Sequence, residues 1–206
     1  FDVTEAGTHK RLAVHVVERP GDVAQVASLG PEPFGLGIEQ FAALLRSRNQ
    51  QVKGALRDQS LIPGIGNAYS DEILHRARLS PLQLTRNLDD ADVARLHEAS
   101  VQVLVEWTAR LREQAGEGFP AHVTAFREGM AVPGRFGHPC PTCGSPVQRL
   151  AYAENEVDYC PTCQTDGKVL ADRALSRLLR EDWPRSLDEM DELKTAHREI
   201  VTGPHP

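Results

Sequence analysis

The sequence is short of most features that would place it in a special class. Aromatic residues make up 5% of its 206 positions, and no apolar run approaches the ~18 residues of a membrane-spanning helix. No basic start followed by an apolar stretch marks a signal peptide, so the expectation is a cytoplasmic protein. Cysteine is scarce: the four residues are too few for a disulfide scaffold, and all lie between positions 140 and 163, which points to metal. Positive charge is in deficit, with 23 Lys and Arg against 29 Asp and Glu. The resulting net charge of −6 excludes a globally basic nucleic-acid binder. What remains, 40% apolar and 25% charged, is the composition of a globular chain with a core.

An initiating Met is also missing. The chain opens with the alternating Phe1-Asp-Val-Thr4, and Arg11 to Val17 alternates again. Two short strands are marginal by themselves, so they read as the remnant of a sheet completed by upstream residues.

After the breakers Gly30-Pro31-Glu32-Pro33, Gly35 and Gly37, helical spacing begins. Ile38, Phe41, Leu44 and Leu45 predict a helix over 38–48, and Val52 and Leu56 a second, short one. Pro63-Gly-Ile-Gly66 interrupts, and Asn67 is the expected N-cap of a helix carrying Tyr69, Ile73 and Leu74 and ending at Pro81. From Asp89 and Asp90 the longest pattern, through Leu96, Val103 and Trp107, runs to about Gln114 as the spine of the domain. Residues 115–139 read as a long loop, Leu170 to Leu179 as an amphipathic helix, and 181–206 as a partly ordered acidic tail with seven acids and three bases.

Cys140-Pro-Thr-Cys143 and Cys160-Pro-Thr-Cys163 are two identical knuckles separated by 16 residues. A hairpin built from Val147, Leu150, Tyr152, Val157 and Tyr159, with Asn155 near its turn, would converge four thiolates on one tetrahedral ion. With four ligands and no open position the site is structural; zinc is the expected ion and iron the alternative. His138 reads as a loop residue.

Leu61-Ile-Pro-Gly-Ile-Gly-Asn67 joins two predicted helices through glycines. Gly64 and Gly66 would let backbone N–H groups approach a phosphate, and the following helix N-terminus adds orphan donors and a positive dipole. Local charge agrees: residues 40–86 hold seven bases, among them Arg48 and Lys53, against three acids. Lys168, Arg173, Arg177 and Arg180 form a second basic patch.

These residues resemble the formamidopyrimidine-DNA glycosylase / endonuclease VIII family. The resemblance runs through Leu29-Gly-Pro-Glu-Pro33, Lys53-x-x-Leu56-x-Asp58-Gln59, Ile62 to Glu72, Arg78-Leu-Ser-Pro81 and the four-cysteine spacing, over roughly residues 1–165. It implies a mainly α fold: a helix-two-turn-helix domain with a zinc-finger β-hairpin, and remnant strands of an N-terminal β-sandwich. The implied divisions are 1–28 for that remnant, 29–137 for the helical domain and loop, 138–165 for the zinc finger, and 166–206 for a C-terminal helix and acidic tail. The implied partner is double-stranded DNA, damaged or abasic, bound by a monomer in a bacterial-type, nucleoid-associated setting. Lys53 and Asn67 match phosphate-holding positions, Gly64 and Gly66 the turn between them, and Arg48 and Arg149 are further candidate contacts. Tyr69 and Glu72 match positions that support the turn.

Two departures from the family pattern bear on function. The family attacks the sugar with an N-terminal proline amine followed by an acid, whereas this chain starts at Phe1. The expectation is therefore no catalytic residue in this chain: the DNA-binding part of a base-excision-repair glycosylase and abasic-site lyase acting on oxidised bases. The alternative is a non-enzymatic DNA-binding zinc protein of the same descent. Second, the family's finger carries an Arg six residues before its third cysteine, where this chain has Glu154, with Glu156 and Asp158 following. Arg149 is the available substitute. A generic helix-hairpin-helix beside a zinc ribbon is a third reading, but it requires neither Leu29 to Pro33 nor the cysteine spacing.

Overall fold

Apolar residues at three- and four-residue spacing fold the centre of the chain into helices. The computed structural model describes residues 12–118, 127–152, 156–171, 177 and 179–202. A single turn, α1 (Ala24–Ala27), precedes α2 (Ile38–Arg46), α3 (Val52–Arg57), α4 (Asn67–Ala77) and the long α5 (Asp90–Ala115). Helix α5 is the spine expected from the sequence. Helices α2 and α4 lie against it, and α3 leans on α4. Their common core buries Phe41, Leu45, Leu56, Ile62, Ile73, Leu74, Leu96, Val103 and Trp107. Each large apolar side chain removed from water contributes about 1.5–3 kcal/mol.

The ends of these helices have local causes. Asp89 caps α5, its carboxylate accepting the Asp92 N–H at 2.6 Å. Helix α2 stops at Arg46, two residues early, where the Ser47 hydroxyl turns back to the Leu44 carbonyl at 2.6 Å. Helix α4 stops at Ala77, well before Pro81, because Arg78 takes the left-handed conformation (φ 56°) and Leu79 N–H closes on Leu74 O at 3.0 Å.

Residues 127–137 are turns without regular structure, as expected, and lead into the cysteine module. Strands β1 (Gln148–Ala151) and β2 (Glu156–Tyr159) pair antiparallel, with Arg149 opposite Asp158 and Ala151 opposite Glu156. The second knuckle starts the short α6 (Pro161–Gln164). The module has its own small cores, Val132 and Val147 with the cysteines, and Leu150, Val157 and Tyr159. Asn155 and Glu154, on which two expectations rest, lie outside the described residues.

Three expectations at the chain's ends fare differently. The alternating residues 12–17 form no strand, and Leu12, Val14, Val16 and Val17 are exposed; among the described residues the only sheet is β1–β2. Alternation supplies a face but no partner strand, and backbone pairing needs both. The Phe1 to Thr4 stretch and most of the 170–179 helix lie outside the described residues. The acidic tail is more ordered than its composition suggested: α7 (Leu187–Thr202) is a helix of 16 residues. Its start is closed reciprocally, Ser186 Oγ accepting from Glu189 N–H at 3.2 Å and the Glu189 carboxylate from Arg185 N–H at 2.7 Å. No described helix is long and apolar enough to cross a membrane.

Candidate metal centre and phosphate cradle

The hairpin and the two knuckles bring Cys140, Cys143, Cys160 and Cys163 together, all four Sγ atoms within 4.8 Å of one another. The Cys140–Cys163 and Cys143–Cys160 separations are 3.9 and 3.4 Å. A tetrahedral zinc with bonds of ~2.3 Å needs sulfurs roughly 3.8 Å apart, so the donor set fits that ion. Burial pushes the metal-free Cys160 thiol up, and that of Cys163 up to about 11, whereas at Cys143 burial is outweighed by hydrogen bonds from Ser145, which bring the thiol down to about 6, so the tightly held protons that loading must expel lie on the second knuckle.

Residues outside the knuckles hold this cage, and sequence reasoning missed them. His75, buried on α4, places Nε2 3.2 Å from Cys140 Sγ, where an N–H would donate to a thiolate. Burial, helped by Arg76 and Arg78, holds its imidazole down at about 4, hence neutral. Gln164 accepts from Cys160 N–H at 2.8 Å and donates to Leu79 O at 2.9 Å, tying the second knuckle to the end of α4.

Helix α4 makes most of the joint between the helical core and the module. Asn67, Asp71 and His75 recur every four residues, so they share one face. Asn67 Nδ2 donates to Glu156 O at 2.9 Å, Asp71 Oδ2 accepts from Asp158 N–H at 3.2 Å, and the adjacent Glu72 carboxylate accepts from Ala131 N–H at 2.8 Å. Glu72 therefore supports the loop that leads into the module and not the glycine turn. Tyr69 packs edge-on against Trp107, ring centroids 6.2 Å apart. A polar stripe at four-residue steps on a helix that also packs into the core was the available signal.

Asn67 is not the N-cap of α4. Gly66 holds that position with an extended backbone, and Asn67 is the first helical residue, its side chain committed to the hairpin. The turn itself is braced by Gln59, whose Oε1 accepts from Gly64 N–H at 2.9 Å and whose Nε2 donates to Ile65 O at 3.1 Å. Gly64 sits at φ 88°, which favours glycine, and both Gly64 and Gly66 are exposed.

Lys53 is buried, its ammonium paired with Asp71 Oδ1 and 3.4 Å from Glu156 O. Burial lowers the Lys53 ammonium and raises the Asp71 carboxyl to about 6, each against the pull of its partner. Arg149 Nε and Nη2 bind the Asp158 carboxylate at 2.7 and 3.1 Å, while its Nη1 reaches Glu156 Oε2 at 2.8 Å. Lys53, Asn67 and Arg149 thus converge on one residue, Glu156. Arg48 stands apart, 62% exposed and paired with Asp58 at 3.0 Å beneath the turn.

A helical core joined through one polar helix face to a closed four-thiolate hairpin defines a zinc-finger protein with an attached helical domain. Residues 29–113 match the formamidopyrimidine-DNA glycosylase H2TH domain, and residues 137–165 match the zinc finger found in FPG and IleRS. An uncharacterized formamidopyrimidine-DNA glycosylase-like protein of Mycobacterium tuberculosis is 42% identical over 156 residues, which cover 76% of this chain and 97% of that protein. The formamidopyrimidine-DNA glycosylase of Thermus thermophilus is 38% identical over 161 residues, 72% of this chain and 59% of that protein. The crystal structure of the MutM (Fpg) protein from Thermus thermophilus superposes with a TM-score of 0.59 at 36% identity, over 69% of this chain and 56% of that one. The Lactococcus lactis Fpg in complex with abasic-site DNA gives 0.56 at 26% identity, over 67% and 52%. The chain belongs to the formamidopyrimidine-DNA glycosylase family, and its four cysteines form that family's structural zinc site. It spans between half and three fifths of the Thermus and Lactococcus glycosylases it matches.

Proposed function

We propose that this chain is the DNA-binding part of a base-excision-repair glycosylase and abasic-site lyase, and that it binds damaged or abasic double-stranded DNA as a monomer through Lys53, Gly64, Gly66, Asn67, Arg48 and Arg149. The carrying observation is the convergence of the Asn67 amide and the Lys53 ammonium on a single oxygen, beside a glycine turn whose backbone is exposed. Two donors aimed at one acceptor are what a phosphate oxygen requires, and the start of α4 adds unpaired backbone donors. The Lactococcus relative binds abasic-site DNA, in keeping with this reading. The divisions at 28/29, 137/138 and 165/166 belong to the same proposal; the family matches start at 29 and end at 165, which supports the first and last of them.

The test is fluorescence anisotropy with an abasic-site duplex at low salt. Asn67→Ala should weaken binding by about 1–3 kcal/mol, the loss of a hydrogen bond to a charged group. Unchanged affinity would remove the cradle.

The Lys53 amine is held by Asp71 in a buried ion pair, which supports a binding role for it and not an imine-forming one. The alternative is a non-enzymatic DNA-binding zinc protein of the same descent. Borohydride treatment with an abasic-site duplex separates the two. A trapped covalent adduct would show an imine-forming enzyme; binding without an adduct fits a chain that only binds.

A further inference from the structure

Three of the side chains assigned to phosphate, those of Asn67, Lys53 and Arg149, are already engaged in the unbound chain, and one residue engages all three. Glu156 offers its carbonyl oxygen to Asn67 Nδ2 at 2.9 Å and to Lys53 Nζ at 3.4 Å. Its carboxylate, on a side chain 50% exposed, binds Arg149 Nη1 at 2.8 Å. Glu156 and Asp158 lie on the same face of β2, two residues apart, and Arg149 stands opposite Asp158 on β1.

We propose that Glu156 is an internal surrogate for phosphate, occupying Arg149 with its carboxylate and Asn67 with its carbonyl, and thereby setting the affinity of the cradle for DNA. The inference rests on the DNA-binding reading above and adds the residue that restrains it.

The geometry separates the parts of Arg149. Asp158, almost wholly buried and itself fixed by Gly134 N–H at 2.8 Å and by the Asp71 contact to its own N–H, holds Nε and Nη2. The ring of Phe136, 5.6 Å from the guanidinium carbon, steadies the group further. Only Nη1 is held by an exposed partner. Removing the Glu156 charge therefore leaves the guanidinium in place and releases its outward nitrogen to a phosphate. It also removes a carboxylate that would lie beside the DNA backbone.

The experiment compares the full chain with Glu156→Gln, Arg149→Gln and the double variant, all zinc-loaded, by salt titration of anisotropy on an abasic-site duplex and on the undamaged duplex. Glu156→Gln keeps the carbonyl and the strand, and equal zinc content with an unchanged melting curve shows that it is folded. It should bind about three- to tenfold more tightly, and its plot of log affinity against log salt should steepen by about 0.9, one added phosphate contact. The gain should vanish when Arg149 is also replaced. Equal affinity and slope for wild type and Glu156→Gln would overturn the surrogate role while leaving DNA binding intact. So would a gain that persists without Arg149, which would be a general charge effect. Failure of every variant to bind either duplex would overturn the DNA-binding reading and the surrogate with it.

Discussion

Lys53 and Asp71 form a buried ion pair, their side chains 6% and 3% exposed, that ties α3 to α4 directly beneath the hairpin. Both groups are displaced from their ordinary titration by burial, and each is the other's main compensation.

Breaking this pair from one side leaves a buried charge. Lys53→Met should destabilise the fold by about 3–5 kcal/mol in urea unfolding, whereas Lys53→Met/Asp71→Leu, which removes both charges, should recover a substantial part. A double variant less stable than the single would show that Asp71 acts chiefly through the Asp158 N–H.

The pair also carries a pH signature. With its folded value raised to about 6, the Asp71 carboxyl binds a proton in the folded chain that the unfolded chain releases near pH 4. Its contribution to stability is fully present below pH 4 and is lost as pH rises through about 6. The stability of wild type relative to Asp71→Asn should therefore fall between about pH 4 and 6 and level off above that. A difference that rises over that range would contradict the burial of the carboxylate.

Metal removal should be local. The helical core and the module's small cores are separate clusters, so a chelator should disorder residues 138–165 and leave much of the helical signal in far-ultraviolet circular dichroism. Complete loss of helix on chelation would show that the core depends on the finger. A preparation without zinc or iron by metal analysis would refute the site.

His75 should matter to the metal without touching it. His75→Ala removes the contact to Cys140 Sγ, and a partner of that kind is worth roughly 10- to 100-fold in metal affinity. Competition with a chromophoric chelator reads this directly, and an unchanged zinc affinity would leave His75 as packing only.

Much of this architecture is legible in the sequence because it is written in periods and spacings. The apolar steps of 38–46 and 90–115 locate two helices, Asp89 marks the start of α5, and two identical knuckles identify the metal site. What stayed hidden depends on long-range pairing. No local pattern says that Lys53 meets Asp71, that Arg149 is taken by Glu156 and Asp158, or that Asn67 turns from its own helix to the hairpin. Helix α7 was a different case, since Ser186-Leu-Asp-Glu189 is a local capping signal outweighed by the acidic composition around it.

Two of the side chains by which α4 holds the cysteine module, Asn67 and Asp71, reach main-chain atoms, Glu156 O and Asp158 N–H, and Glu72 does the same at Ala131 N–H in the loop that leads into it. Such a joint recognises the path of the finger's backbone and is indifferent to which side chains decorate it. The decorations are free to diverge, so fingers with different surfaces could be exchanged on one helical body. The docking residues on α4 have no such freedom, and they form the adaptor on which any replacement finger would have to fit.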